Sequence, residues 1–272
     1  MSTFRRVFLE GYDFLNQIYL NRYIIWELTK RDFRTKYVQN IFGLSWAIIE
    51  PLAMMVILWF IFTFVRTGRG TDVPFALFLL TGLIAYDFFN KSINSATRSI
   101  SSYGFLINKV NFRSAFIPIV KILSEVYLHL IIIVIVGIIL VLNGIPLTFY
   151  WLQILYYLFA TIVFLVGLTW LTSSISLFFP DINYIITITM RVLFFFTPIF
   201  WDASMVPEKF MVYFRLNPLY YIVNGYRDSF LYHVSILEHK NEALYFWLLT
   251  SVFFVLGVYV FKKLRPHFAD LI

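Results

Sequence analysis

An all-α integral membrane protein with six transmembrane helices is the fold class this sequence predicts, and three observations carry it. The first is composition: 60% of the residues are hydrophobic, 21% aromatic and only 14% charged, with a mean hydropathy of +0.78, whereas a soluble domain carries about 25% charged residues. The second is run length, since the apolar residues gather in stretches near the roughly 20 residues a helix needs to cross about 30 Å of hydrocarbon; a β-barrel would show shorter alternating segments. The third is the placement of the basic residues. Most sit between the apolar runs, where the net charge of +7 meets phospholipid head groups and sets topology rather than binding nucleic acid.

The apolar runs cover residues 44–65, 73–89, 122–142, 149–179, 182–200 and 244–261. Six spans put both termini on one side, and the Lys and Arg distribution says which. Fourteen lie in residues 1–43, the 90–114 connection and the 262–272 tail, against six in the connections of the other side. The positive-inside rule then places both termini in the cytoplasm of a multi-pass plasma-membrane protein. The first 43 residues lack the apolar core of a signal peptide, so the expectation is a retained, cytoplasmic N-terminal region (1–43) followed by one membrane domain (44–261).

Within residues 28–43, Phe33, Tyr37, Val38, Ile41 and Phe42 recur at helical spacing, while Lys30, Arg31, Arg34 and Lys36 point elsewhere. That pattern predicts an amphipathic helix in the membrane interface. It serves either as an anchor on anionic lipid, at about 1 kcal/mol per basic residue, or as a docking surface for a cytoplasmic partner. Gly43 marks the bend into the first span and Trp46 is an interfacial anchor.

Ionisable residues at membrane depth are costly and find partners or line wet cavities. Glu50 precedes Pro51 in the first span, and Arg191 lies near the middle of the fifth. Lys121, Glu125 and His129 recur every fourth residue; four residues turn a helix about 400°, so the three share one face with only about 40° of drift per step. The expected arrangement has Lys121 reaching the cytoplasmic surface, Glu125 pairing with it, and Arg191 paired with Glu50 or Glu125. The second reading for Glu50 and Arg191 is the lining of a polar conduit. A proton relay through His129 is a third.

The 201–243 connection is the longest on the outer side. It is dense in aromatics, and prolines 198, 207 and 218 break the chain in and just before it. Tyr220, Ile222, Val223 and Tyr226 recur as in an amphipathic helix that would lie at or dip into the outer leaflet. The tyrosines and tryptophans fit either an aromatic belt or a path for a glycan.

The chain has no cysteine, no G-x-x-x-x-G-K-[ST] loop and no H-E-x-x-H, so no metal site or cofactor of its own is expected and no ATPase site of that type. It is not expected to be an enzyme by itself. Energy for uphill transport would come from a partner or an ion gradient.

Five motifs in order resemble the membrane subunits of ABC exporters for lipid-linked polysaccharides. They are "FGLSWAIIEPL" at 42–52, "LLTGLIAYDFF" at 79–89, "NKVNFRSAFIPIVKILSE" at 108–125, "FFTPIFW" at 195–201 and "NPLYYIVNGYRDSFL" at 217–231. The wall teichoic acid branch is the one it resembles most; O-antigen and capsule permeases are related. Pro180, before Asp181, departs from a family pattern that often has arginine there. The resemblance implies a type-2 ABC exporter transmembrane domain with short re-entrant helices between spans 5 and 6. It implies a homodimer with two cytoplasmic phosphate-loop ATPase subunits that use ATP and Mg, moving an undecaprenyl-diphosphate-linked polymer. The ATPase contacts it implies are Arg31, Arg34 and Lys36, with Arg98, Tyr103, Phe105 and Lys109 in the coupling connection. The outer gate it implies comprises Thr197, Pro198, Trp201, Asn217, Pro218, Tyr220, Tyr221 and Tyr226. Two other classes, a membrane-embedded transferase and an ion-coupled carrier, would need a carboxylate or histidine cluster at one face or an internal repeat, and neither is visible in the sequence.

Overall fold

The computed structural model describes residues 16–38, 43–65, 74–104 and 113–271. Among them every regular element is helical. In chain order these are α1 (Arg22–Phe33), α2 (Leu44–Val65), α3 (Phe75–Thr97), α4 (Phe116–Leu142), α5 (Gln153–Phe178), α6 (Ile182–Phe196), α7 (Glu208–Arg215), α8 (Pro218–Arg227) and α9 (Lys240–Leu264). A π-turn, Arg34–Val38, continues α1, and a single helical turn, Ser99–Ser102, follows α3.

Four helical stretches are long and apolar enough to cross a membrane: Phe75–Thr97, Phe116–Leu142, Phe149–Phe178 and Ile236–His267. The apolar stretches Ile48–Leu58 and Ile182–Phe196 are shorter; at 15 residues, α6 covers only about 22 Å. Several boundaries differ from the hydropathy reading. α3 continues to Thr97 because its polar final turns are satisfied internally: Asn94 Nδ2 donates to the Asn90 carbonyl at 2.9 Å and Thr187 Oγ1 donates to Asn94 Oδ1 at 2.9 Å. α4 starts at Phe116, since Pro118 falls in its first turn, where a missing N–H costs nothing. α6 stops at Phe196 because Thr197 precedes Pro198 and is held extended (φ −93, ψ 138), as proline requires of its predecessor.

α3 is the hub. Its residues from Leu77 to Tyr86 are buried throughout, and it packs on α2, α4, α5, α6 and α8. α4 is two-faced: Ile122, Glu125, His129, Ile132, Val136 and Leu140 are buried, while Leu130, Val134, Ile138 and Val141 are exposed. That outward apolar stripe suits hydrocarbon, as do the exposed Leu244, Leu248, Val252, Val255 and Tyr259 of α9. α5 and α9 meet at backbone contact: a Cβ on Gly257 would stand 2.1 Å from the Gly167 carbonyl oxygen, and one on Gly167 would stand 2.6 Å from Phe254 Cα. Small residues bring helices this close where lipid leaves van der Waals contact as a main source of cohesion.

The N-terminal helix departs from its expected register. It begins at Arg22 rather than at 28, and it buries Ile25, Thr29 and Asp32 against α4, with Ile25 packed on Phe116 and Val120. Phe33 and Tyr37 do turn inward, with ring centroids 5.2 Å apart. The helical pattern at Ile41 and Phe42 lies outside the described residues.

Candidate functional site

A cleft of about 860 Å³ opens between α2, α3 and α6, reaching back to the π-turn at Lys36 and Tyr37. Trp46, Ile57, Leu83, Phe194 and Phe195 give it apolar walls, and Glu50, Asp87, Asn90 and Arg191 give it polar atoms. Lys91 stands behind this lining, its Nζ 3.0 Å from Glu50 Oε2 and 2.9 Å from Asp87 Oδ2. Asp87 and Lys91 meet because they are four residues apart on α3. Glu50 joins from α2 with 69% of its side chain exposed, so this carboxylate faces the cleft. Tyr86 fixes the other wall by donating its hydroxyl to the Met190 carbonyl of α6 at 2.5 Å.

The expected pairings are corrected on three counts. Glu125 does not take Lys121: its Oε1 is paired with Lys36 Nζ, and its Oε2 accepts from Tyr37 Oη at 2.8 Å. Lys121 reaches Asp32 Oδ1 at 2.5 Å instead. Arg191 pairs with neither Glu50 nor Glu125; it is exposed on α6, and among the described residues it has no ion-pair or hydrogen-bond partner. Proximity in the chain misled here, because a buried α4 face meets the N-terminal segment before it can fold back on itself.

Asp32 also accepts from Tyr103 Oη at 2.9 Å. Burial, and then the Asp32 charge, push the Tyr103 phenol up, which keeps it a donor. His129 is buried, stacked on Phe88 with centroids 4.4 Å apart, and its Nε2 is 2.8 Å from Tyr226 Oη. Its side-chain hydrogen bond is to Tyr226 rather than to Glu125, whose partners Lys36 and Tyr37 line the cleft.

On the opposite side of the hub, Asn217 caps α8 by accepting from Leu219 N–H at 3.0 Å, with Pro218 at the first helical position, a start signal in both residues. Asn217 Nδ2 donates to Thr197 Oγ1 at 2.8 Å, tying the cap to the buried Thr197 and Pro198. The stretch Thr197–Trp201 is a run of bends, not a short helix; the two short helices after α6 are α7 and α8. α8 is not amphipathic in place, since Leu219 to Val223 and Gly225 to Arg227 are all buried between α3, α5 and α9. Tyr221 Oη is 3.1 Å from Tyr156 Oη, which accepts from Trp247 Nε1 at 2.9 Å. Trp201 stacks edge-on against Phe214, 4.9 Å between centroids, and Tyr220 lines a smaller polar pocket with Asn224, Asp228 and His239.

Arg227 was counted in the sequence as an outer-loop charge, yet it is 2% exposed. Its Nη2 donates to the Ile199 carbonyl at 2.7 Å and its guanidinium lies 3.5 Å over the Phe78 ring. Gly82 makes the room: a Cβ there would sit 2.7 Å from Arg227 Nη2. Nothing in the local pattern announces this burial. The Asp87 and Lys91 pair, by contrast, carried an i,i+4 signal that the hydropathy boundary at 89 concealed. Of the remaining expected residues, Arg31, Arg34 and Arg98 are exposed, and Phe105 and Lys109 lie outside the described residues.

A bundle of apolar helices, four of them long enough to cross a membrane, with a polar-lined side cleft is the architecture of a multi-pass membrane protein. Residues 23–231 match the ABC-2 type transporter membrane family, and the chain belongs to it. Its relatives include the O-antigen export system permease protein RfbA of Klebsiella pneumoniae, 27% identical over 90% of this chain and 93% of that one. The polysialic acid transport protein KpsM of Escherichia coli is 28% identical over 85% and 90%. The capsule polysaccharide export inner-membrane protein CtrC of Neisseria meningitidis serogroup A is 23% identical over 92% and 94%. It is a multi-pass membrane protein and a transport permease.

Proposed function

We propose that this chain is the membrane subunit of an ATP-driven exporter of a lipid-linked cell-surface polysaccharide, working as a homodimer with two cytoplasmic phosphate-loop ATPase subunits. The observation that carries the reading is the near full-length similarity to permeases named for O-antigen and capsule export, joined to a cleft whose lining suits an amphipathic polymer. Sugar rings present apolar faces to Trp46, Phe194 and Phe195 and hydroxyls to Glu50, Asp87 and Asn90. Arg191 would take a phosphate of the carrier by a charge-assisted fork.

In this reading α2 and α6 are the first and fifth of six spans, both termini are cytoplasmic, and the open side of the cleft is completed by a second copy. α1 and the residues flanking it lie in the inner interface, where the exposed Tyr19, Tyr23 and Trp26 meet head groups while Arg31 and Arg34 face the ATPase. Arg98 and Tyr103 belong to the coupling connection. ATP and Mg bind the ATPase, not this chain. The bends at Thr197 to Trp201 with α7 and α8 close the outer end; irregular backbone is tolerated at that depth when it is buried in protein. Wall teichoic acid as the particular polymer rests on sequence resemblance; O-antigen and capsule are the other candidates.

The test is co-purification of the chain with its ATPase, reconstitution, and measurement of ATP hydrolysis with each undecaprenyl-diphosphate-linked polymer. Stimulation by one class identifies the cargo. Failure to capture an ATPase, or no stimulation by any lipid-linked glycan, would sink the reading.

A further inference from the structure

Four charges join the N-terminal segment to α4 in a crossed order. Along the N-terminal segment Asp32 is followed four residues later by Lys36; along α4 Lys121 is followed four residues later by Glu125. Asp32 meets Lys121 and Lys36 meets Glu125, each pair 89 residues apart in the chain. Each carboxylate also accepts a tyrosine hydroxyl, Tyr103 at 2.9 Å on Asp32 and Tyr37 at 2.8 Å on Glu125. Both acids are buried, at 7% and 2% exposure.

The order of signs sets a register. If the N-terminal segment slipped by one turn along α4, Asp32 would face Glu125 in one direction and Lys36 would face Lys121 in the other. Like charges in a partly buried site oppose both slips. Asp32 has the larger share of the joint, because its Oδ1 holds donors from two other elements, α4 and the turn after α3. Its Oδ2 is buried without a donor among the described residues, so the carboxylate rests on Lys121 and Tyr103 alone. Lys121 also lies 4.9 Å from the Tyr103 ring centroid. Two turns beyond Lys121 on the same face of α4, His129 touches Tyr226 of α8. A single helix face thus runs from the Asp32 joint to the buried α8.

We propose that Asp32 is a positioning residue for energy coupling: it binds α1, the Tyr103 turn and α4 into one body whose register cannot slip, so that displacement of the N-terminal segment is passed along α4 toward α8. This rests on the reading of the chain as an ATPase-driven exporter. A contiguous path is only a route; coupling has to be measured.

The experiment uses the full complex with its ATPase in proteoliposomes, comparing wild type, Asp32→Ala and the exchange Asp32→Lys with Lys121→Asp. Yield, melting temperature, ATP hydrolysis and polymer exported per ATP are read for each. Asp32→Ala is expected to retain ATP hydrolysis per assembled complex while export per ATP falls about tenfold, in the range such coupling residues command, and the exchange to stay as low, because it sets two cations against two carboxylates, a pattern that tolerates a one-turn slip, and leaves Tyr103 without its acceptor. An unchanged export per ATP, with only yield or melting temperature reduced, overturns the proposal in favour of a purely structural joint. An exchange that recovers wild-type export per ATP overturns the register set by the order of signs. A wild-type chain that captures no ATPase fails the exporter reading itself, and is recognised before any substitution is made.

Discussion

Where α5 and α9 cross, a Cβ on Gly257 would stand 2.1 Å from a backbone oxygen, whereas α2, α3 and α6 leave about 860 Å³ between them. Both regions are built from apolar helices. At the first, two glycines let the backbones touch, and the contact area substitutes for the hydrophobic drive that lipid removes. At the second, Trp46, Phe194 and Phe195 line an open space together with charges that would be costly against lipid. In the proposed assembly cohesion and conduction are therefore separated: the α5–α9 seam is scaffold, and the α2–α6 side is left for cargo and for a second copy.

That contrast can be broken in four ways, from the largest expected effect on stability to the smallest. Gly257→Leu should cost about 3 kcal/mol or more, as overpacking against unyielding backbone does, and should be read as a collapse of detergent-resistant folded protein. A melting temperature close to wild type would show that the seam is not tight. Arg227→Leu should cost about 1–3 kcal/mol by taking the Arg227 donor from the Ile199 carbonyl and the guanidinium from the Phe78 ring; thermal unfolding of the purified chain checks it. Arg191→Leu should leave stability within about 0.5 kcal/mol, as for an exposed residue, yet abolish most export in proteoliposomes. Intact export would remove Arg191 from the conduit. Glu50→Gln should change stability least, by about 0.2 kcal/mol, the low end for an exposed ion pair, since its partner is shared and its side chain is largely wet, and the difference should vanish at high salt.

The helices themselves were largely legible. The run at 44–65 coincides with α2, and the four-residue spacing of Lys121, Glu125 and His129 did place three polar contacts on one face of α4. The Asn217-Pro218 start of α8 was equally local. Their partners were not legible. Lys121 was expected to take Glu125, four residues away, and takes Asp32 instead, because the N-terminal segment packs on that face and offers the opposite charge. Arg227 read as a loop cation and is buried over Phe78, since Gly82, far away in sequence, leaves the space.

By itself the sequence determined the class, the order of the helices and the family they resemble, because hydrocarbon demands long apolar segments with every backbone hydrogen bond closed locally. The tertiary structure alone decided which charges meet, which helices touch and where a cleft stays open. Those outcomes depend on shape and on residues some 90 positions apart, and a charge's sign in the chain does not name its partner.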